Sequence, residues 1–130
     1  LNKIKYFVDI RRQNHAYLGW SVSDINFSDN FQIQLSTSNS KKSSWFGFGF
    51  ISKKHDRDKV VHHLLRNNIE CRPIVAGNFC KNPVIKYMDH RIVGDLQVAE
   101  MIDKQGFFIG NNSEIINTEI DYFVSIITDL

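Results

Sequence analysis

Phenylalanine and glycine alternate through the sequence WFGFGFI at positions 45–51. In a strand, the three phenylalanines Phe46, Phe48 and Phe50 would share one face and the two glycines the other, because successive side chains alternate across a sheet. Neighbouring aromatic rings favour burial of their face, and glycine inside a strand is favoured where another group approaches the backbone closely. We therefore predict a strand with an aromatic core face and a glycine face that contacts a packed helix rather than a ligand.

The rest of the chain alternates between helical and strand periodicity. In chain order the predicted elements are a helix over about 1–18, strands over 31–36 and 45–51, a helix over 56–68, a strand over 69–76, a helix over 96–104, a strand over 107–109, and a final helix with Ile116, Ile120, Val124 and Ile127 as its apolar stripe. A polar loop is predicted over 37–44. This order predicts an α+β domain in which helices pack on a small, mostly antiparallel sheet.

Length and charge exclude several classes of protein. The 130 residues are enough for one domain with its own core, and no apolar run approaches the roughly 20 residues that cross a bilayer. The net charge of +2 is too small for a general nucleic-acid binder. The excess of basic residues in positions 1–66 leaves an acidic partner open, although differently charged solvated faces explain it more simply. We predict no nucleic-acid partner and no membrane attachment.

Cys71 and Cys80 are the two cysteines, and they show no CxxC spacing. So few cysteines fit reduced thiols in a cytoplasmic protein. A metal site could be built from them with His62, His63 and His90, but adjacent helix residues point about 100° apart and do not converge as residues i and i+4 do. We therefore expect no metal site.

The sequence CRPIVAGNF at 71–79 places Arg72 on a strand that we expect to be buried, shortly before a Gly-Asn turn. A buried guanidinium requires an anionic partner or several acceptors. An internal Asp or Glu is one such partner, and a carboxylate or phosphate of a bound ligand is another. The residues alone leave both open. Pro73 predicts that this strand lies at a sheet edge or carries a bulge.

Four sequence blocks resemble the C-terminal part of the DegT/DnrJ/EryC1/StrS family: SSWFGFGF at 43–50, IECRPIVAGNF at 69–79, NPVIKY at 82–87 and QGFFIGNN at 105–112. This family comprises enzymes that use pyridoxal phosphate (PLP) to aminate or deoxygenate keto sugars carried on nucleotides. The likeness is greatest to its lipopolysaccharide branch, which includes CDP-4-keto-6-deoxyglucose 3-dehydrases and GDP-4-keto-6-deoxymannose 3-dehydratases. It extends over nearly the whole chain and is loose between residues 19 and 42.

The resemblance implies a small domain of a fold-type-I PLP enzyme over 21–130, preceded by a linker helix over 1–20. In this family a larger N-terminal domain carries the Schiff-base lysine (a histidine in the 3-dehydratases), the aspartate that faces the pyridine nitrogen, and most phosphate contacts. None of those motifs occurs here, and Leu1 has neither a Met nor an N-cap residue before it. We therefore expect a chain cut from a parent that binds PLP or pyridoxamine phosphate (PMP), with no cofactor and no catalytic residue on the chain itself.

In such enzymes the small domain closes one side of the active site, and the resemblance implies a substrate-contacting loop over about 76–87. We expect Arg72 to contribute charge, Asn78 amide hydrogen bonds, and Trp45 or Phe79 a wall of the pocket. The expected parent is a cytoplasmic, homodimeric aminotransferase or 3-dehydratase that acts on a nucleotide-linked 4-keto-6-deoxy sugar in lipopolysaccharide or O-antigen biosynthesis. The alternative is a non-catalytic module that binds a sugar or an acidic partner through its basic first half.

Overall fold

A four-stranded antiparallel sheet organises the part of the chain that the computed structural model describes, which is residues 2–23, 26–35 and 42–130. The strands are β1 (Phe31–Ile33), β2 (Gly47–Ser52), β3 (Cys71–Pro73) and β4 (Gly106–Gly110), in the spatial order β1-β2-β4-β3. The helices are α1 (Asn2–Ser21), α2 (Phe27–Asn30), α3 (Arg57–Arg66), α4 (Gln97–Gln105) and α5 (Asn117–Thr128). The predicted α+β class with an antiparallel sheet is confirmed. The predicted loop over 37–44 and the end of the first predicted strand lie partly outside the described residues.

One face of the sheet forms the core. Phe50 of β2 lies opposite Phe107 of β4, and their rings stack with centroids 5.2 Å apart. Helices α1, α3 and α5 cover this face through buried apolar residues, among them Leu18, Val60, Leu64, Ile120, Phe123 and Ile127. Each fully buried side chain of this size contributes about 1.5–3 kcal/mol, so the aromatic face of β2 is a main source of the hydrophobic stabilisation.

The alternation predicted for 45–51 fails at its first two residues. Trp45 has a φ of 50°, in the left-handed region, so the strand begins only at Gly47. The Trp45 side chain turns inwards and is 6% exposed, while Phe46 turns outwards and is 73% exposed. The prediction that Phe46 shares the core face with Phe48 and Phe50 is therefore wrong.

The glycine face of β2 meets side chains of the neighbouring strands along most of its length. A Cβ added to Gly47 would lie 3.0 Å from the ring of Phe108, and one added to Gly49 would lie 3.3 Å from the side chain of Gln34. The expected packed helix is present at one end only, where α4 contacts β2 and β4. Glycine is required at 47 chiefly because an added Cβ would lie only 2.8 Å from the backbone carbonyl oxygen of Ile109.

The predicted strand over 69–76 is confirmed for only three residues, since β3 ends at Pro73. The position of β3 at the sheet edge agrees with the edge expected from that proline. Helix α3 begins as predicted after Asp56, whose carboxylate accepts hydrogen bonds from the backbone N–H groups of Asp58 and Lys59. Within the described residues, no helix combines the length and apolarity needed to span a bilayer.

Candidate functional site

The part of the sheet that α4 leaves uncovered is the candidate site, and we call it the open face. It consists of Gly47 and Gly49 of β2, Phe108 of β4 and Arg72 of β3, which lies directly opposite Phe108 in the strand register. Helix α4 covers the far end of the same side of the sheet, where a Cβ on Gly106 would collide with the carbonyl oxygen of Ile102. The fold therefore exposes a glycine-floored strip beside an arginine.

Two cavities lie on the open face and share the rings of Phe46 and Phe108. The first, of about 330 Å³, is lined by Phe46, Glu70, Cys71, Arg72, Phe108 and Gly110. The second, of about 400 Å³, is lined by Gln34, Phe46, Gly47, Gly49, Ile74, Val75 and Phe108. Both fall in the lower part of the range for small-molecule sites, about 300–1,000 Å³. A mainly apolar floor with a few polar groups at the rim can hold the face of a ring and hydrogen-bond its edge.

Arg72 is exposed, which corrects the expectation of a buried arginine. Its side chain is 68% exposed, and its Nη2 donates to Oε1 of Glu70 over 2.7 Å. The reason is that β3 is short and lies at the edge, so only Cys71 of this strand is buried. The partner is thus an acidic residue of the chain, as one of the two alternatives expected. Because this ion pair lies in solvent, it leaves the guanidinium available to an anionic ligand.

Asn78 and Phe79 lie on a short turn that is fastened to α4. Lys81 Nζ lies 2.6 Å from Oε2 of Glu100 and 3.0 Å from Oδ2 of Asp103, and we call these three residues the α4 clamp. The hydrogen bond from Lys81, followed by one from Lys104, lowers the pKa of Glu100 to about 2. The same two carboxylates raise the pKa of Lys81. The clamp is therefore a fully ionised cluster at neutral pH.

The amide of Asn78 is buried and engaged within the turn, whereas the ring of Phe79 is about half exposed. Asn78 Oδ1 accepts from the backbone N–H of Cys80 at 3.1 Å, and its Nδ2 donates to Glu100 Oε2 at 3.4 Å. The side chain that was expected to offer amide hydrogen bonds to a ligand therefore already has protein partners.

Trp45 packs inside the domain. Its ring stacks on His15 of α1 with centroids 3.7 Å apart, and its carbonyl oxygen accepts from Nδ2 of Asn111 at 2.9 Å. Arg12, three residues before His15, donates to the carbonyl oxygens of Lys42 and Ser43. Trp45 lines none of the described cavities, whereas its neighbour Phe46 lines both cavities of the open face.

The four predicted site residues therefore fall into three places. Arg72 lies on the open face, Asn78 and Phe79 lie on the turn held by the α4 clamp, and Trp45 lies behind Phe46. Sequence reasoning missed Phe46 and Phe108 as lining residues. The strand register that places Phe108 opposite Arg72 cannot be read from the sequence. The block QGFFIGNN was nevertheless a usable signal, since two adjacent phenylalanines in one strand cannot both face the core.

The two cavities of the open face do not suit covalent binding of PLP. No lysine or histidine lines either of them, so neither offers an amine for a Schiff base or an imidazole in its place. Among the described residues there is also no cluster of three or more His, Cys, Asp or Glu that suits a metal ion. Cys71 and Cys80 are free thiols, and burial raises the pKa of the Cys71 thiol. The open face can therefore bind and position a ligand, and burial disfavours the thiolate form of Cys71 in its first cavity.

The fold is that of the small domain of fold-type-I PLP enzymes. The chain superposes with a TM-score of 0.88 on Escherichia coli GDP-4-keto-6-deoxy-D-mannose-3-dehydratase with bound hydrated PLP, at 39% identity over 98% of this chain and 32% of that one. A second solved structure of a GDP-4-keto-6-deoxymannose-3-dehydratase, a variant with bound GDP-perosamine, matches with a TM-score of 0.87 at 38% identity, over 97% of this chain and 32% of that one.

The chain belongs to the DegT/DnrJ/EryC1/StrS aminotransferase family, whose model matches residues 1–128. Among curated relatives, the GDP-4-keto-6-deoxy-D-mannose 3-dehydratase of Escherichia coli O55:H7 is 41% identical over 94% of this chain and 31% of its own length. The lipopolysaccharide biosynthesis protein RfbH of Salmonella typhimurium is 29% identical over 96% of this chain and 29% of its own length. The chain thus spans about a third of the length of the relatives that it matches.

Proposed function

We propose that this chain is the C-terminal small domain of a PLP-dependent enzyme that removes the 3-hydroxyl group from a nucleotide-linked 4-keto-6-deoxy sugar. The observation that carries the proposal is the match of nearly the whole chain to 3-dehydratases at 41% identity. The same relatives support 3-dehydration over transamination. Lipopolysaccharide or O-antigen biosynthesis in the cytoplasm is the proposed setting, and a homodimer the proposed assembly.

The proposed division of labour leaves the cofactor to the part of the parent outside these residues. Residues 21–130 would form the small domain and residues 1–20 the linker helix to a large domain that binds PLP or PMP. The cofactor supplies the electron sink for the chemistry, whereas this chain binds and orients the sugar.

We propose that the open face and the turn of Asn78 and Phe79 form one wall of the nucleotide-sugar site. Arg72 would hold an anionic group of the substrate or amino donor, and Phe46 and Phe79 would present apolar surface to the sugar. Trp45 and Asn78 would act without contacting the substrate. Trp45 would fix the position of Phe46, and Asn78 would shape the turn that carries Phe79. The support is the exposure of Arg72, Phe46 and Phe79 and the burial of the other two.

Replacing Arg72 by lysine in the full-length enzyme tests this wall. Lysine keeps the charge and can keep the ion pair with Glu70, but it lacks the planar fork that binds a carboxylate or phosphate through two hydrogen bonds. A charge-assisted hydrogen bond contributes about 1.5–3 kcal/mol, so we expect kcat/KM to fall about tenfold or more. The melting temperature should change little, because an exposed ion pair contributes about 0–1 kcal/mol.

Arg66→Lys is the matched control, since Arg66 is an exposed arginine in the last turn of α3. It should leave both kcat/KM and the melting temperature unchanged. If Arg72→Lys destabilises the protein while the folded fraction keeps normal kinetics, Arg72 serves the fold and not the substrate.

The coding sequence upstream of Leu1 tests the domain assignment. An open reading frame that encodes a cofactor domain supports the domain assignment. In that domain, the histidine replacement supports 3-dehydration, whereas the Schiff-base lysine favours transamination. A start codon near Leu1 contradicts the proposal and favours a non-catalytic binding module.

A further inference from the structure

Besides the hydrogen bond from Asn78 Nδ2 to Glu100, three links join the segment between β3 and α4 to one side of α4. Glu100 and Asp103 are three residues apart and therefore project from the same side of the helix. Lys81 bridges their carboxylates, and the backbone N–H of Asn78 donates to Oδ1 of Asp103 at 3.3 Å. The third link is a close approach, since Gly77 has a φ of 53° and a Cβ there would lie 2.8 Å from Cα of Asp103.

Lys81 is the residue of the α4 clamp that lies on the segment between β3 and α4, whereas Glu100 and Asp103 lie on α4 itself. Lys104 also pairs with Glu100, at 3.0 Å, but both of these residues are on α4. Loss of Lys104 would therefore remove an ion pair within the helix, whereas loss of Lys81 would cut two ion pairs between the helix and the turn. The side chain of Lys81 is about half exposed, so its removal leaves no cavity in the core.

The turn that Lys81 holds exposes the ring of Phe79. The Asn78 side chain bonds within the turn and to Glu100, and the half-exposed ring of Phe79 is the next side chain along. Three consecutive residues, Phe79–Lys81, form the 3-10 turn, so the ion pairs of Lys81 at one end restrain the backbone of Phe79 at the other.

We propose that Lys81 is a positioning residue, which acts through Glu100 and Asp103 to hold the Asn78–Phe79 turn in the geometry that presents Phe79 to the nucleotide sugar. This inference rests on the proposed function. Lys81 itself binds no substrate, because its ammonium group is directed to the two carboxylates. Its effect on the reaction comes from substrate binding and orientation, so it should appear in KM more than in kcat.

The test compares Lys81→Met with Lys104→Met in the full-length enzyme by hydrogen–deuterium exchange and steady-state kinetics. For Lys81→Met we expect amide exchange over residues 77–88 to accelerate about tenfold, because local opening becomes easier when the links to α4 are lost. KM for the nucleotide sugar should rise about tenfold with kcat within about twofold. Lys104→Met should leave exchange over 77–88 and KM unchanged.

Lys81→Arg provides the rescue, since a guanidinium can donate to both carboxylates. It should restore slow exchange and the normal KM. Unchanged exchange in Lys81→Met overturns the positioning role directly. Faster exchange with an unchanged KM also overturns it, and shows that the turn is held by Lys81 but does not meet the substrate. If Arg72→Lys still lowers kcat/KM about tenfold in that case, the proposed function stands.

Discussion

His15 shows how one buried polar residue connects α1 to the edge of the open face. Its Nε2 donates to the carbonyl oxygen of Gln34 at 2.9 Å, and its ring stacks on Trp45. Trp45 in turn precedes Phe46, which lines both cavities. Burial lowers the pKa of His15 below the ordinary value of 6.5, against the opposing effect of the bond to Gln34. The packing of Trp45 thus depends on an imidazole whose pKa is lowered by burial.

The stability of the domain should therefore fall in mild acid. The unfolded chain takes up a proton at His15 near pH 6.5, while the folded chain takes it up only at lower pH, so unfolding binds protons in between. The contribution of His15 is complete above pH 6.5 and is lost progressively as the pH decreases below it. We expect the free energy of unfolding, measured by urea titration from about pH 8 to about pH 5, to decrease less in His15→Gln than in the wild type.

His62→Gln is the control for this measurement, because His62 is an exposed residue of α3. It should retain the wild-type dependence on pH. Equal pH dependence in the wild type and in His15→Gln would show that His15 does not titrate differently on folding.

Gly77 is a second residue at which the local conformation carries a clear cost of substitution. Gly77 and Gly94 both have positive φ, of 53° and 81°, but a Cβ on Gly94 would meet nothing within 4 Å. Alanine at either position is strained by about 1 kcal/mol, and at Gly77 it would also collide with Asp103. Chemical denaturation should therefore show a larger loss of stability for Gly77→Ala than for Gly94→Ala. Equal losses would mean that the segment moves away from α4 without cost.

The elements divide into those that local periodicity defines and those that distant contacts define. The helix over 56–68 and the final helix were predictable because their apolar stripes and, for α3, the N-cap Asp56 are local signals. The α2 turn was not predicted, since its four residues are too few for a periodic pattern. The strand predicted over 69–76 was too long, because the apolar residues beyond Pro73 face the open side and α4 rather than a neighbouring strand.

The candidate site was only partly predictable for the same physical reason. The sequence showed that Arg72 precedes a turn, but its exposure depends on the edge position of β3, which is a property of the sheet order. Phe46 was assigned to the core because strand alternation cannot reveal a left-handed residue at Trp45. The ion pairs of Lys81 join residues about twenty positions apart, and no local pattern indicates them.

Helix α1 illustrates the difference between a linker and a part of the domain. From Ile10 onwards it supplies buried Ile10, Asn14 and Leu18, and the Asn14 amide donates to Asn111 Oδ1 and to the carbonyl oxygen of Glu114. By contrast, the side chains described over residues 3–7 are exposed. The structure thus makes the second half of α1 integral to the small domain, while the proposed linker role applies to its first turns.

Two truncations should separate these halves. Removal of residues 1–7 should leave a cooperative thermal transition in circular dichroism, because none of the described side chains removed is buried. Removal of residues 1–18 should abolish it, since loss of the buried Asn14 network alone leaves several polar groups unsatisfied at about 1–3 kcal/mol each. A cooperative thermal transition after removal of residues 1–18 would contradict the role assigned to α1.

At the scale of the whole molecule, the two sides of the sheet have different roles. The core side is closed by α1, α3 and α5, and it accounts for the fold. The other side carries the open face, and the segment between β3 and α4 exposes apolar residues, among them Val75, Val84, Tyr87, Met88, Ile92 and Val93. Apolar surface of this extent is typical of a region that meets another part of a protein, and in our proposal that part is the cofactor domain together with the bound sugar.

The most direct test of the account is a crystal structure of the full-length protein with its cofactor and a nucleotide-linked 4-keto-6-deoxy sugar. The account predicts that the ligand lies against the open face or the Phe79 turn, with atoms of the nucleotide sugar or amino donor within about 4 Å of Arg72, Phe46 or Phe79. A complex in which all three residues lie clear of the bound ligand, with the sugar enclosed entirely by other parts of the protein, would contradict it.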